Sequence, residues 1–258
     1  MIKNPHLEGA SFTWEGGPIG VLLVHGYTAT TAEVRPLARF LYAHGYSVAG
    51  PLLPGHDTTP EDANRYRWRD WVRSVEVAYR DLAARCPVVV AGGESAGALL
   101  TLYLASEHPE IACVLSYAPA LRLTLRRRDV ARLYLTAPFK PYVAKRQGTP
   151  SMSSGGDSLW RGYAVTPLRG TIELLRLQRA VRPRLARVQQ PLLVVRGRND
   201  PTVHPSAPET IYREVSSTVK ELHWFDHSAH KVLLDDEREQ LFALTLGFIE
   251  KALGRSEI

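Results

Sequence analysis

The chain has 258 residues, of which 45% are hydrophobic and 22% charged, and its formal net charge is +6. This length and apolar content allow one substantial core, so we expect a single domain over residues 1–258. The longest apolar runs, such as residues 21–24 and 192–195, are too short to cross a bilayer, and no basic segment followed by an apolar run marks an export signal. We therefore expect a cytoplasmic protein with no transmembrane segment, present as a monomer or small homo-oligomer.

The cysteines and the arginine clusters give no sign of a metal or of nucleic acid. Cys86 and Cys113 lack metal-ligand spacing, and we expect both to be reduced. Arginines concentrate at residues 122–132 and 176–187, which we interpret as solvated helix faces, since no aromatic residues are interleaved with them. We predict no cofactor, no metal and no nucleic-acid partner.

Apolar runs alternate with helical patterns along most of the chain. The first strand is predicted at residues 19–25, a helix at 33–45 and a second strand at 46–53, which together form a βαβ unit. The later predictions are a helix at 68–85, a strand at 87–91, a helix at 98–107, strands at 111–117, 191–196 and 219–225, and a helix at 237–253. This alternation predicts the α/β class, with a mostly parallel central sheet and helices on both faces.

Residues 120–185 break the alternation and are rich in arginine and proline. Because this segment follows one predicted strand and precedes another, we expect it to form a small cap insertion over the carboxyl ends of the strands, where ligands bind. The Gly/Ser-rich run at residues 149–156 is expected to be a mobile loop. Trp160 and Tyr163 are our preferred residues for an apolar substrate pocket, although such residues more often pack against a core.

A serine lies where a predicted strand meets a predicted helix, within Gly93–Gly97 (sequence GESAG). The glycines on either side suit a sharp, strained strand-to-helix turn, in which backbones approach closely. Ser95 is therefore the candidate nucleophile. A serine hydroxyl is a poor nucleophile at neutral pH and requires a base.

Asp200 and His230 each follow a later predicted strand. The order Ser95, Asp200, His230 is the chain order of α/β-hydrolases, with the histidine as general base and the aspartate orienting it. His227 competes with His230, and the alternatives for the acid are Asp226, Asp235 and Asp236. Asp235 and Asp236 are explained by the start of the last predicted helix.

The tetrahedral intermediate of acyl transfer needs backbone donors for its oxyanion. The residue after the nucleophile, Ala96, and the residue after the first strand, Tyr27, are expected to supply these N–H groups. His25 and His56 also end strands beside glycine, and we interpret both as structural, hydrogen-bonded residues.

With these residues in place, the sequence resembles the small carboxylesterases of thermophilic bacilli, which belong to the α/β-hydrolase superfamily and are related to monoacylglycerol lipases. The most specific segments are Leu22–Thr28, Val34–Leu41, Gly55–Asp57 and Trp224–Asp235. The resemblance implies hydrolysis of an acyl ester through an acyl-serine, with Ser95, Asp200 and His230 at the triad positions. Glu94, Ala98, Ala229 and Lys231 depart from the residues common in that family.

The sequence thus predicts a serine carboxylesterase that acts on short- to medium-chain acyl esters as its small-molecule substrates. Monoacylglycerol hydrolysis, thioester cleavage and acyl transfer would use the same triad. The alternative outside the enzymes is a noncatalytic small-molecule receptor with the same fold. The serine at the elbow argues against the related enzymes that use a carboxylate nucleophile.

Overall fold

The computed structural model describes residues 2–145 and 158–255. The strands are β1 (Ile2–Lys3), β2 (Phe12–Trp14), β3 (Ile19–Val24), β4 (Ser47–Gly50), β5 (Val88–Glu94), β6 (Cys113–Tyr117), β7 (Tyr142–Ala144), β8 (Gly162–Tyr163), β9 (Val165–Pro167), β10 (Leu192–Gly197) and β11 (Lys220–Phe225). The α-helices are α1 (Arg35–Ala43), α2 (Pro60–Ala63), α3 (Trp68–Ala83), α4 (Ala96–Glu107), α5 (Arg127–Thr136), α6 (Leu168–Val181), α7 (Ser206–Glu214) and α8 (Arg238–Ala252). Short 3₁₀ helices occupy Thr31–Glu33 and Arg182–Arg187.

Seven strands form the central sheet in the order β11-β10-β6-β5-β3-β4-β2. Each pair is parallel except β2 with β4, which is antiparallel and forms one edge. All six residues of β3 are buried, as expected for a parallel strand covered on both faces. The predicted α/β fold with a mostly parallel sheet is confirmed.

Helices cover both faces of this sheet. Successive residues of β3 alternate between two cores: Leu22 and Val24 pack with α3, α4, α6 and α7, whereas Val21 and Leu23 pack with α1 and α8. The period of two in a strand explains this alternation. Helix α4, which follows β5, is buried along most of its length and fixes the carboxyl end of β5 in place.

The described part of the segment between β6 and β10 contains α5, α6 and the short strands β7, β8 and β9. Leu174, Leu177 and Val181 of α6 belong to the main core, so this helix completes the helical layer on one face of the sheet. Helix α5 packs on the outer side of α6 through Leu133. The boundaries 120–185 of a cap insertion stay a prediction, and the run at residues 149–156 lies outside the described residues.

The structure differs from the predicted elements at several ends. Strands β1 and β2 were not predicted, and α1 begins at Arg35 because Thr31–Glu33 form a 3₁₀ turn that precedes it. Helix α8 begins at Arg238, so Asp235 lies in the preceding turn and not in the first turn of the helix. Across the described ranges, no helix is long and apolar enough to span a membrane.

Candidate active site

Ser95 lies at the junction of β5 and α4 in a strained conformation, with φ +56° and ψ −110°. A non-glycine residue in such a region costs about 1–3 kcal/mol, which the surrounding structure must offset. The glycines of the motif permit the turn: a Cβ on Gly93 would lie 2.5 Å from the carbonyl carbon of Gly97, and one on Gly97 would collide with the Val24 carbonyl. The Ser95 N–H donates to the Tyr117 carbonyl at 2.8 Å, which further fixes the elbow.

A continuous hydrogen-bond chain joins the three residues predicted to form the triad. His230 Nε2 lies 3.0 Å from Ser95 Oγ, and His230 Nδ1 lies 2.9 Å from Asp200 Oδ2. The three side chains come from the segments that follow β5, β10 and β11, whose carboxyl ends meet at one edge of the parallel sheet. The arrangement can therefore pass a proton from the serine hydroxyl to the imidazole.

Asp200 is held as a carboxylate. Its Oδ1 accepts the N–H groups of Thr202 at 2.7 Å and Val203 at 3.0 Å. Burial by itself would raise the pKa of Asp200, but the neighbouring His230 and these two N–H donors lower it below the ordinary value. Both oxygens therefore have fixed hydrogen-bond partners, the two backbone N–H groups at Oδ1 and His230 at Oδ2.

The turn that carries Asp200 is tied to the end of β10. Arg196, whose exposure is 2%, donates from Nη2 to the carbonyls of Asp200 at 3.0 Å and Val203 at 2.7 Å. Its Nε lies 3.8 Å from Asp200 Oδ2, beyond an ordinary hydrogen bond. The buried guanidinium thus hydrogen bonds to the backbone of the turn, whereas it makes no ordinary hydrogen bond to the Asp200 carboxylate.

The competing acids and the competing histidine lie in other contacts. Asp226 is exposed and pairs with Arg198 at 2.5 Å. Asp235 is fully buried and accepts the Ala229 N–H at 2.7 Å, which supports the loop that carries the catalytic candidate. The backbone N–H of His227 donates to Glu237 Oε2 at 3.0 Å. The geometry therefore favours Asp200 and His230.

His25 and His56 are buried beside the same edge of the sheet. His25 Nδ1 is 2.8 Å from the Gly26 carbonyl, and its Nε2 accepts the Leu53 N–H at 3.1 Å. Burial lowers the pKa of His25 to about 3 and that of His56 to about 4, so both rings are neutral near pH 7. His56 Nδ1 lies 3.2 Å from the Leu53 carbonyl. These contacts agree with our interpretation of both residues as structural.

The two candidate oxyanion donors flank the nucleophile. Ala96 is the first residue of α4, so its N–H has no intrahelical acceptor. The turn after β3 passes beside the elbow, because a Cβ on Gly26 would lie 3.2 Å from Ser95 Cβ. Tyr27 follows in this turn, and its hydroxyl donates to the Pro167 carbonyl at 2.8 Å. An oxyanion role for Tyr27 and Ala96 stays a prediction.

Trp160 and Tyr163, the predicted pocket residues, are both buried and hydrogen bonded. Trp160 Nε1 donates to Glu33 Oε1 at 3.2 Å. The Tyr163 hydroxyl donates to the Gly55 carbonyl at 2.8 Å. Trp160 thus contacts the turn after β3 through Glu33, and Tyr163 contacts the loop after β4. Contact with a substrate stays a prediction for both.

The structure places three residues near the site to which the sequence analysis assigned no role in catalysis or binding. Arg196 holds the Asp200 turn, Glu33 accepts hydrogen bonds near the elbow, and the Lys231 ammonium lies 3.9 Å from the centre of the Trp160 ring. For Arg196 the sequence gives one local sign of a special role: a charged residue lies within the otherwise apolar run that forms β10. Glu33 at the start of a predicted helix is explained equally well by the helix dipole.

Several known proteins resemble this chain along most of its length. Residues 19–237 match the family Hydrolase_4, described as "Serine aminopeptidase, S33". A thermostable monoacylglycerol lipase of Bacillus sp. strain H-257 is 34% identical over 98% of this chain and 99% of its own length. A carboxylesterase of Bacillus subtilis strain 168 is 29% identical, covering 93% and 96%.

Among solved structures, one from a study of the metagenome-derived lipolytic enzymes LipS and LipT is 32% identical, with a TM-score of 0.85 over 95% of this chain and 99% of that one. The resemblance to bacillar carboxylesterases and monoacylglycerol lipases is therefore confirmed along nearly the whole chain. This chain belongs to the Hydrolase_4 family of the α/β-hydrolase superfamily and is a carboxylic ester hydrolase.

Proposed function

We propose that the protein hydrolyses short- to medium-chain acyl esters with Ser95 as nucleophile, His230 as general base and Asp200 as the residue that orients it. The observation that carries this proposal is the hydrogen-bond chain from Ser95 Oγ to His230 and on to Asp200, at 3.0 Å and 2.9 Å. The strained elbow that presents the serine supports the same roles.

The proposed reaction has two halves. Ser95 Oγ attacks the ester carbonyl carbon while His230 Nε2 takes the hydroxyl proton, and the N–H groups of Tyr27 and Ala96 stabilise the oxyanion. His230 then gives this proton to the leaving alkoxide, and an alcohol departs. In the second half His230 takes a proton from water, the resulting hydroxide attacks the acyl-serine, and Ser95 regains its proton as the acid leaves.

The substrate class follows from the relatives and from the chemistry of the site. The relatives named a carboxylesterase and a monoacylglycerol lipase support an acyl ester as substrate. A monoacylglycerol fits the proposal as one such ester. Thioester cleavage and acyl transfer to an alcohol use the same groups. Thioester cleavage differs in the leaving group, which is a thiol, and acyl transfer differs in the acceptor that reaches the acyl-serine.

The test is steady-state hydrolysis of p-nitrophenyl esters of increasing acyl length by the wild type and Ser95→Ala. We expect a clear optimum in acyl length and a loss of several powers of ten in Ser95→Ala. Ser106→Ala is the matched control, because this serine lies at the far end of the same helix α4 and its hydroxyl donates to the Tyr103 carbonyl. Near-normal turnover in Ser95→Ala would show that the assigned nucleophile is wrong.

Further substrates separate the alternatives. Monoacylglycerol, an acyl thioester and an amino-acid anilide each replace the p-nitrophenyl ester, and added glycerol competes with water for the acyl group. Labelling of Ser95 by a phosphonate ester without turnover on any of these substrates would support the noncatalytic receptor instead.

We also propose a cytoplasmic location and a monomeric or small homo-oligomeric state. Both cysteines in the structure are free and buried, which is compatible with a reducing compartment. Cell fractionation tests the location, and size-exclusion chromatography with light scattering tests the oligomeric state.

A further inference from the structure

Two buried glutamates lie directly behind the candidate triad, and we call them the buried carboxyl pair. Glu33 is 4% exposed and Glu94 is completely buried. Glu94 immediately precedes the nucleophile. Both glutamates border the Gly26 turn, because a Cβ on Gly26 would lie 3.0 Å from Glu33 Oε2 and 3.4 Å from the Glu94 carbonyl oxygen. Carboxyl groups are rarely buried unless they have partners, so the pair needs an explanation.

The two members of the pair have different hydrogen-bond environments. Glu33 accepts two N–H groups: the Gly26 amide donates to Oε2 at 2.6 Å, and Trp160 Nε1 donates to Oε1 at 3.2 Å. Glu94 accepts one, from the Leu233 amide to Oε1 at 3.2 Å. Within the described residues, Glu94 Oε2 is buried and has no hydrogen-bond partner. Donors stabilise a carboxylate, and a bare buried oxygen destabilises one.

The charged groups around the pair also favour a charged Glu33 over a charged Glu94. Burial raises the pKa of Glu33 above its ordinary value, and the Gly26 amide, Lys231 and His230 offset part of that rise. Glu94 lies near Glu33 and Asp200, which oppose its charge, near Lys231, which favours it, and beside Tyr117. Burial and then the charge of Glu33 raise the pKa of Glu94 well above its ordinary value. Two neighbouring buried carboxyls do not both ionise.

We propose that Glu94 is kept as a neutral carboxylic acid and Glu33 as a carboxylate, and that Glu33 is a positioning residue which fixes the oxyanion turn and stabilises protonated His230. The inference rests on the triad under Proposed function. Glu33 acts through the Gly26 amide, which adjoins the proposed donor Tyr27.

The kinetic test compares two isosteric variants, Glu33→Gln and Glu94→Gln, through the pH profile of kcat/KM on one p-nitrophenyl ester. The acidic limb of this profile reports the free enzyme's base, His230. Removing a nearby anion destabilises the imidazolium, so in Glu33→Gln we expect the limb to move to lower pH. Glutamine offers one acceptor oxygen to the two N–H donors of Gly26 and Trp160, so the oxyanion turn loses one of its two fixed contacts. We therefore expect the plateau to fall about tenfold, less than the roughly 10²–10³ that a whole oxyanion-site donor is worth. In Glu94→Gln the limb is expected to keep its position.

A measurement independent of activity identifies the protonated member. Infrared spectroscopy of the wild type near pH 7 is expected to show the carbonyl band of a buried carboxylic acid, absent in Glu94→Gln and retained in Glu33→Gln. Exposed Glu15→Gln serves as a control that leaves the band in place. A band that persists in Glu94→Gln, or equal movement of the acidic limb in both variants, would overturn the proposal.

The spectroscopic result also separates this proposal from the proposed function. Normal turnover in Ser95→Ala would refute the triad and leave the infrared assignment of the pair untouched. An intact, serine-dependent esterase without the Glu94 band would refute the pair alone. If Glu33→Gln fails to fold, the infrared comparison of the wild type with Glu94→Gln still decides the protonation state.

Discussion

Asp200→Asn gives the sharpest test of the triad, because the structure dictates how the amide must sit. In the wild type Oδ1 accepts two backbone N–H groups, from Thr202 and Val203. The amide oxygen of the asparagine must remain there, since an NH₂ group would face two donors. The amide nitrogen therefore replaces Oδ2 and donates to His230 Nδ1.

This exchange traps the histidine in the wrong tautomer. When Nδ1 accepts a hydrogen bond, the proton lies on Nε2 and points at Ser95 Oγ, so the ring cannot accept the serine proton. The same tautomer effect in serine proteases lowers kcat by about 10⁴, which at 1.36 kcal/mol for each power of ten is about 5.4 kcal/mol of activation free energy. We expect a loss of this order here.

The assay is kcat and KM on a p-nitrophenyl ester, with circular dichroism and thermal unfolding to confirm the fold. The variant keeps both backbone hydrogen bonds at Oδ1, so we expect it to fold. The control is Asp226→Asn, which breaks only an exposed ion pair with Arg198 and should cost at most about 1 kcal/mol of unfolding free energy without changing turnover. A loss of tenfold or less in Asp200→Asn, or a larger loss in Asp226→Asn, would refute the reasoning.

Four other substitutions test the scaffold. Gly97→Ala is expected to destabilise the fold by about 1–3 kcal/mol or more, because its Cβ meets backbone, whereas Gly247→Ala in α8 has open space and should stabilise by up to about 1 kcal/mol in urea unfolding. In Arg196→Met the turn carrying Asp200 loses the two hydrogen bonds that Arg196 Nη2 donates to its carbonyls. We expect the free energy of unfolding to fall by at least about 2 kcal/mol, and kcat to fall by a larger factor than KM rises. Tyr163→Phe leaves its hydroxyl's partners unpaired, so we expect a loss of about 1–3 kcal/mol in thermal unfolding with an unchanged acyl-length optimum; a shifted optimum would identify a pocket role.

Much of the fold and of the candidate triad could be predicted from the sequence because their signals are local. The strands around Ser95 are continuous apolar runs, and the flanking glycines mark the turn. Asp200 and His230 follow strands whose ends must meet in a parallel sheet. The first two strands, β1 and β2, could not be predicted, because they are two and three residues long and mix exposed with half-buried positions.

The role of Glu33 could not be predicted for a different reason. Its hydrogen bond to Trp160 joins residues 127 positions apart, and nothing near either residue in the sequence indicates the other. Contacts of this kind are set by tertiary packing, which a local pattern does not contain. Asp235 is missed for another reason: its contact with Ala229 spans only six residues, but it depends on a turn that precedes α8 where the sequence predicts the start of the helix.

The long-range contacts also connect the segment between β6 and β10 to the proposed chemistry. Trp160 is bonded to Glu33, which holds the Gly26 amide, and the Tyr27 hydroxyl is bonded to the Pro167 carbonyl. The turn proposed to bind the oxyanion is therefore fixed from both sides by this segment. Substitutions there that alter substrate preference should also displace the oxyanion donors, which act in the transition state more than in the ground state. Divergence in this segment among related ester hydrolases is thus expected to change kcat as well as KM.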